Sequence, residues 1–135
     1  MLRTLRAEAE ETAAAAADVR FLMVYVAEAH AEDEWPISSS RFNADRGPVR
    51  VTQPRDQLQR LALARRFVDD FDPAGDVFHD VLVDDVDAGD PFERAFAPWP
   101  FRFFGVGGGL ELEFAPRAEG GTYDLRRLRD WVLQL

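Results

Sequence analysis

The sequence predicts an α/β protein, a single domain in which helices flank a mixed sheet. Three observations point there. Phe21-Leu22-Met23-Val24-Tyr25-Val26 is a short continuous apolar run, the pattern of a strand covered on both faces. Stretches with helical spacing lie on either side of it, and alternating helix and strand is what builds parallel βα units. Gly107-Gly108-Gly109 then separates two short apolar segments, a hairpin signature, and one more amphipathic stretch follows.

Taken in order, residues 2–17 read as a helix, with Leu2, Leu5, Ala9, Ala13 and Ala16 near one face. Arg20–Glu28 is the expected first strand. Residues 31–52 are polar, carry Pro36, three serines and Gly47-Pro48, and read as a long loop of the kind that often serves function. A second helix is expected over 54–70, with Pro54 in its first turn and a stripe of Leu58, Leu61, Ala64 and Val68; Asp72-Pro73-Ala74-Gly75 ends it. Val77–Asp84 is the next strand, Pro91–Phe96 a short helix, and Phe101–Val106 and Leu110–Phe114 form the hairpin. Thr122 is placed to cap a last helix whose stripe is Leu125, Leu128, Trp131 or Val132, and Leu135. Parallel βα units, then an antiparallel hairpin and a packing helix, describe the later part of a thioredoxin-like fold.

Composition narrows the function classes. The 135 residues are 47% hydrophobic and 30% charged, which suits one folded domain and not a disordered chain. The net charge of −9 argues against nucleic acid as a partner, because phosphate binding needs basic side chains, and against docking on anionic lipid. No apolar run approaches the roughly 20 residues of a membrane span, and the charged, Ala-rich start lacks the apolar segment of a secretory signal, so the expected compartment is the cytoplasm. Cysteine is absent: these residues offer no disulfide, no thiolate zinc ligand and no thiol nucleophile.

Among segments with chemical potential, Glu28 and His30 come first. They stand at the carboxyl end of the first strand, where open α/β sheets gather their sites, and would share a face if extended geometry persists. A carboxylate beside an imidazole can orient the ring, which makes His30 a candidate proton donor; the plainer reading is the start of a solvated loop. Trp35 is expected to line a pocket. Asp85-x-Asp87-x-Gly89 looks like the opening of a calcium loop, yet the closing acid is missing where Phe96 falls, so Asp80, Asp84, Asp85, Asp87 and Asp90 read as a solvated strand end. Gly105–Leu110 lacks the third glycine and the following helix of a dinucleotide fingerprint. His79, beside Phe78, reads as a partly buried structural histidine, and two histidines without cysteine make a zinc site a poor expectation.

Residues Phe21–Trp35, with Glu28-Ala29-His30 and Asp33-Glu34-Trp35 at their end, resemble the signature of the iodothyronine deiodinase family, a Phe-Leu-x-x-Tyr-Ile strand running into Glu-Ala-His-x-x-Asp-Gly-Trp. Gln53-Pro54-Arg55 with Arg60, Val81–Asp84, Phe101-Arg102-Phe103, and Tyr123, Leu128, Arg129 and Trp131 are similar to later family segments in the same order. Glu34 departs from the family's glycine, and Pro54 stands where many members carry a second histidine. The resemblance implies a thioredoxin-like oxidoreductase that removes halogen reductively. His30 and Glu28 would be catalytic, and Tyr25, Trp35 and Arg102 would meet a small-molecule substrate. An external thiol would be the reductant, with no other cofactor and no metal, and a homodimer is compatible with the reading. The family's nucleophile, a selenocysteine or cysteine before Pro-Pro-Phe, is expected a few residues upstream of Met1, together with the first, central strand. On that expectation the domain is N-terminally incomplete, as reading a UGA codon as a stop would make it, and the 135 residues alone are inactive. The rival reading is a non-catalytic thioredoxin-like binding module.

Overall fold

The computed structural model describes residues 2–13, 19–36, 50–119 and 123–134. Its elements run α1 (Leu2–Ala13), β1 (Leu22–Tyr25), α2 (Gln57–Phe71), β2 (Asp80–Val83), α3 (Pro91–Phe96), β3 (Gly105–Val106), β4 (Leu112–Phe114) and α4 (Leu125–Val132). The class is mixed α/β, as expected. The expected mixed sheet is, among the described residues, two two-stranded pairs, β1 with β2 and β3 with β4. His79 N–H donates to Phe21 O at 2.7 Å and Asp84 N–H to Tyr25 O at 2.9 Å. The partners advance in the same direction along both segments, so the first pair is parallel. β3 and β4 are antiparallel, with Gly105 opposite Phe114 and Val106 opposite Leu112.

Two compact units divide the chain: Met1–Met23, Val68–Leu82 and Phe101–Leu135 form one, Val24–Phe67 and Val83–Pro100 the other. The core of the first joins the α1 and α4 stripes. Leu5, Ala9, Leu128 and Val132 are buried together, with Leu2, Val19, Phe21, Phe103, Phe114 and Trp131 packed against them. Leu5 and Leu128 each contribute about 1.5–3 kcal/mol by leaving water. Arg129 Nε meets Glu8 Oε2 at 2.9 Å at the rim. His79 is structural, as expected: its Nδ1 accepts the Phe21 N–H at 2.9 Å and its ring stacks on Phe21. Because that nitrogen is an acceptor, the proton of neutral His79 sits on Nε2.

Several boundaries and faces differ from expectation. β1 is shorter than Arg20–Glu28, and Leu22 is exposed, so the run is not covered on both faces. The stripe of α2 holds in its later half only. Ala64 is buried and Val68 half-buried, as expected, but Leu58 is 80% exposed and Leu61 lies outside too, and Arg60 is buried in their place. A buried arginine on the inward face is what the apolar-stripe reading missed. The helix starts at Gln57 because Asp56 caps it: Gln59 N–H donates to Asp56 Oδ1 at 2.8 Å, and the Gln59 side chain returns to Arg55 N–H at 2.9 Å. Pro54 is buried ahead of the helix instead of in its first turn. At the other end Asp72 takes the N–H groups of Asp76, Val77 and Phe78, and Gly75 adopts a positive φ, so the expected stop is present. The last helix is capped by Asp124, which accepts the Arg126 N–H at 3.0 Å; Thr122, Ala16 and Leu135 lie outside the described residues.

Candidate functional site

The second unit carries the expected site. Past Tyr25 the chain leaves β1 and turns at Ala29-His30, so the extended geometry that would put Glu28 and His30 on one face does not persist. The two side chains take different partners. Glu28 Oε1 accepts a short hydrogen bond from Tyr25 Oη. Burial first, and then this bond and the Glu28 charge, push the Tyr25 hydroxyl far above the ordinary tyrosine range. Tyr25 is therefore a fixed donor, its ring edge against Phe67 at 6.0 Å between centroids.

The orienting group of His30 is the Trp35 carbonyl, 3.2 Å from Nδ1. A carbonyl only accepts, so this contact requires the proton of the neutral ring on Nδ1. With Nδ1 engaged, Nε2 is the nitrogen left to meet a ligand. The ring also stands edge-on to the Trp35 indole at 5.7 Å, and Trp35 stacks on Trp99 at 5.9 Å and 19°. Both indoles are open, Trp35 63% and Trp99 41% exposed. The site is an imidazole beside a stacked indole pair on a surface. Glu28, Tyr25, His30 and Trp35 thus share a unit, but the structure ties Glu28 to Tyr25 and not to His30.

Arg102, the remaining expected substrate contact, belongs to the first unit, where its guanidinium lies 5.1 Å over the Phe104 ring. Trp131 stacks there on Phe114 at 5.3 Å. Trp99 lies outside every motif in the sequence. Its role here comes from tertiary pairing across 64 positions of sequence, which no local pattern encodes.

The acidic run is solvated at Asp80, Asp85 and Asp87, as expected, but not at Asp84. Asp84 is buried, and its carboxylate accepts the N–H groups of Phe92 and Glu93, each at 2.9 Å. It caps α3 from outside the helix, whose own N-cap, Asp90, sits at φ 55° without a side-chain cap bond. Arg60, 2% exposed, makes a short ion pair with Asp90 and donates to the Asp84 carbonyl at 3.3 Å. Ligand atoms of Asp84, Asp90 and Glu93 lie within 4.8 Å of one another, the spacing of a cation site. The Arg60 guanidinium already supplies positive charge to that cluster, which makes it a structural knot. Burial, then the neighbouring Asp90 charge, push the Glu93 carboxyl up against the opposing pull of Arg60. Asp85 itself forms the turn, accepting from Asp87 and Ala88 N–H groups at 3.0 and 3.1 Å.

Compared with models of known families and with curated proteins, the chain matches none. No helix among the described residues is long and apolar enough to cross a membrane.

Proposed function

We propose that the chain is the proton-donating and substrate-binding part of a deiodinase-like oxidoreductase with a thioredoxin-like arrangement. The observation that carries this reading is the Trp35 carbonyl on His30 Nδ1 beside the Trp35–Trp99 stack. In the protonated ring the Nδ1 proton is engaged by that carbonyl, which leaves the Nε2 proton to be donated next to flat aromatic surface. The element order supports the arrangement: a parallel pair, then an antiparallel pair, then a closing helix. The 135 residues contain no cysteine, so the reading takes a selenol or thiol from outside them.

The step is a halogen transfer. The selenolate forms a bond to iodine as the carbon–iodine bond breaks, and the electron pair of that bond stays on carbon. His30 Nε2 delivers the proton that the carbon takes up. A thiol then displaces iodide from selenium to give a mixed selenenyl sulfide, and a second thiol releases the selenol and a disulfide. In this reading Tyr25 and Glu28 hold the end of the strand, and Trp35 and Trp99 stack on the substrate ring.

The test supplies a small selenol and excess thiol in solution with an aryl iodide, and measures iodide release. The chain should accelerate release above the selenol alone, and His30→Ala should remove about 10²-fold or more of that acceleration. Release unchanged by His30→Ala, or no acceleration at all, overturns the catalytic reading. The absence of cysteine favours one alternative, a binding module of the same fold. It expects saturable quenching of tryptophan fluorescence by the aryl iodide with no iodide release, and only weaker binding in His30→Ala.

A further inference from the structure

Gln53 bonds to both ends of the segment that carries His30. Its Oε1 accepts the Glu28 backbone N–H at 2.9 Å, and its Nε2 donates to the Glu28 carbonyl at 3.1 Å. One amide side chain therefore satisfies both backbone groups of Glu28, as a neighbouring strand would. The same Nε2 donates to Glu34 Oε2 at 2.9 Å, and the Gln53 backbone N–H donates to Asp33 Oδ1 at 2.8 Å. These partners admit a single orientation of the amide, because a backbone N–H must meet its oxygen and a carbonyl its nitrogen. Arg55 Nη2 holds the second oxygen of Asp33 at 2.9 Å. The Glu32 N–H meets Val51 O at 2.9 Å on the same side. Residues 28 and 33–34 bracket His30 and adjoin Trp35, whose carbonyl holds the ring.

We propose that Gln53 is a positioning residue for His30: by fixing residues 28, 33 and 34 together, it holds the Trp35 carbonyl on Nδ1 and so keeps Nε2 as the working nitrogen. The functional meaning of this clamp rests on His30 as the proton donor. Its structural content does not, so the two fail separately.

The test is nitrogen NMR of the full chain with labelled histidine, with pH raised until the ring nitrogen shifts no longer change. The chain has two histidines, and the second is a built-in reference, because His79 Nδ1 is an acceptor and its proton sits on Nε2. In the parent, His30 should show the Nδ1–H tautomer and His79 the opposite one. In Gln53→Ala, His30 should move to the mixture favouring Nε2–H that unconstrained imidazole adopts, with His79 unchanged. Gln53→Glu keeps the side-chain shape and one acceptor but loses the Nε2 donor, and should shift His30 the same way. If Gln53→Ala loses the His79 signature as well, it has unfolded, and Gln53→Glu decides. A parent His30 in the Nε2–H form, or an unchanged His30 tautomer in a folded variant, overturns the proposal. A result that upholds the clamp while His30→Ala leaves iodide release intact would reject the function and keep the clamp.

Discussion

At the scale of single residues, Arg60 and His30 show how a polar side chain is committed by its partners. Arg60 is a charge taken out of water, which is costly unless neutralised and hydrogen-bonded. Asp90 supplies the opposite charge and the Asp84 carbonyl an acceptor. Removing Arg60 would leave that carboxylate half-buried beside Asp84 and Glu93 with no counter-charge. Arg60→Met should therefore cost about 3–5 kcal/mol, the range for breaking a buried pair from one side. Chemical denaturation monitored by circular dichroism measures it, and a loss under 1 kcal/mol would show that the pair does not stabilise the fold. His30 is the contrasting case: a backbone carbonyl engages its Nδ1, and only Nε2 is left for the proton transfer we propose.

At the scale of elements, α2 shows the difference between an apolar pattern and a buried face. Leu58 and Leu61 match helical spacing with Ala64, yet both face water, while Ala64 and Arg60 turn inward. Ala64 is small enough for close approach, and Arg60 meets Asp90 and the Asp84 carbonyl on that side. Leu58→Ser should change stability by no more than about 0.5 kcal/mol, the scale of surface substitutions. A melting curve of that variant decides whether Leu58 faces water, since a core leucine replaced by serine would lose several times more. The hairpin is fixed by close approach as well as by its glycines. Gly105 is buried against Trp131, and a Cβ built there would fall 2.6 Å from Cζ3 of the indole. The turn itself puts Leu110 at φ 61°, although three glycines precede it.

At the scale of the whole molecule, the acidic composition makes pH the natural variable. The Asp33 carboxyl is held below the usual range by the Gln53 N–H and then by Arg55, and Asp124 by the Arg126 side chain and backbone N–H. Burial pushes Asp72 up, but the N–H groups of Phe78, Val77 and Asp76 outweigh it and hold it low. For these three the folded chain binds protons less readily than the unfolded one. They stabilise fully above the unfolded value, about 3.9, and that stability is lost as pH falls through their lower folded values. Glu93 has the opposite sign: its raised folded value means stability falls as pH rises from the unfolded value, about 4.3, through the folded one. Thermal melts across pH should show stability collapsing below about pH 4. Glu93→Gln should melt higher than the parent at neutral pH and alike below about pH 4. A Glu93→Gln curve that parallels the parent at every pH would contradict this sign.

The order and class of the elements are legible in the sequence, because apolar periodicity, proline, glycine and aspartate act over a few residues. It placed α1, the three helices after it, the hairpin and the end of α2, and it singled out His30 and Trp35. It also marked Asp84 and Asp90, but as solvated acids, since nothing local reveals that Arg60 lies against them. Which face of α2 is buried, that Glu28 turns to Tyr25 while a carbonyl holds His30, and that Trp99 reaches Trp35 were decided only by the tertiary structure. Each depends on residues distant in the chain meeting in space: a charge is buried where its partner arrives, and the ring nitrogen that faces an acceptor is the one that carries the proton.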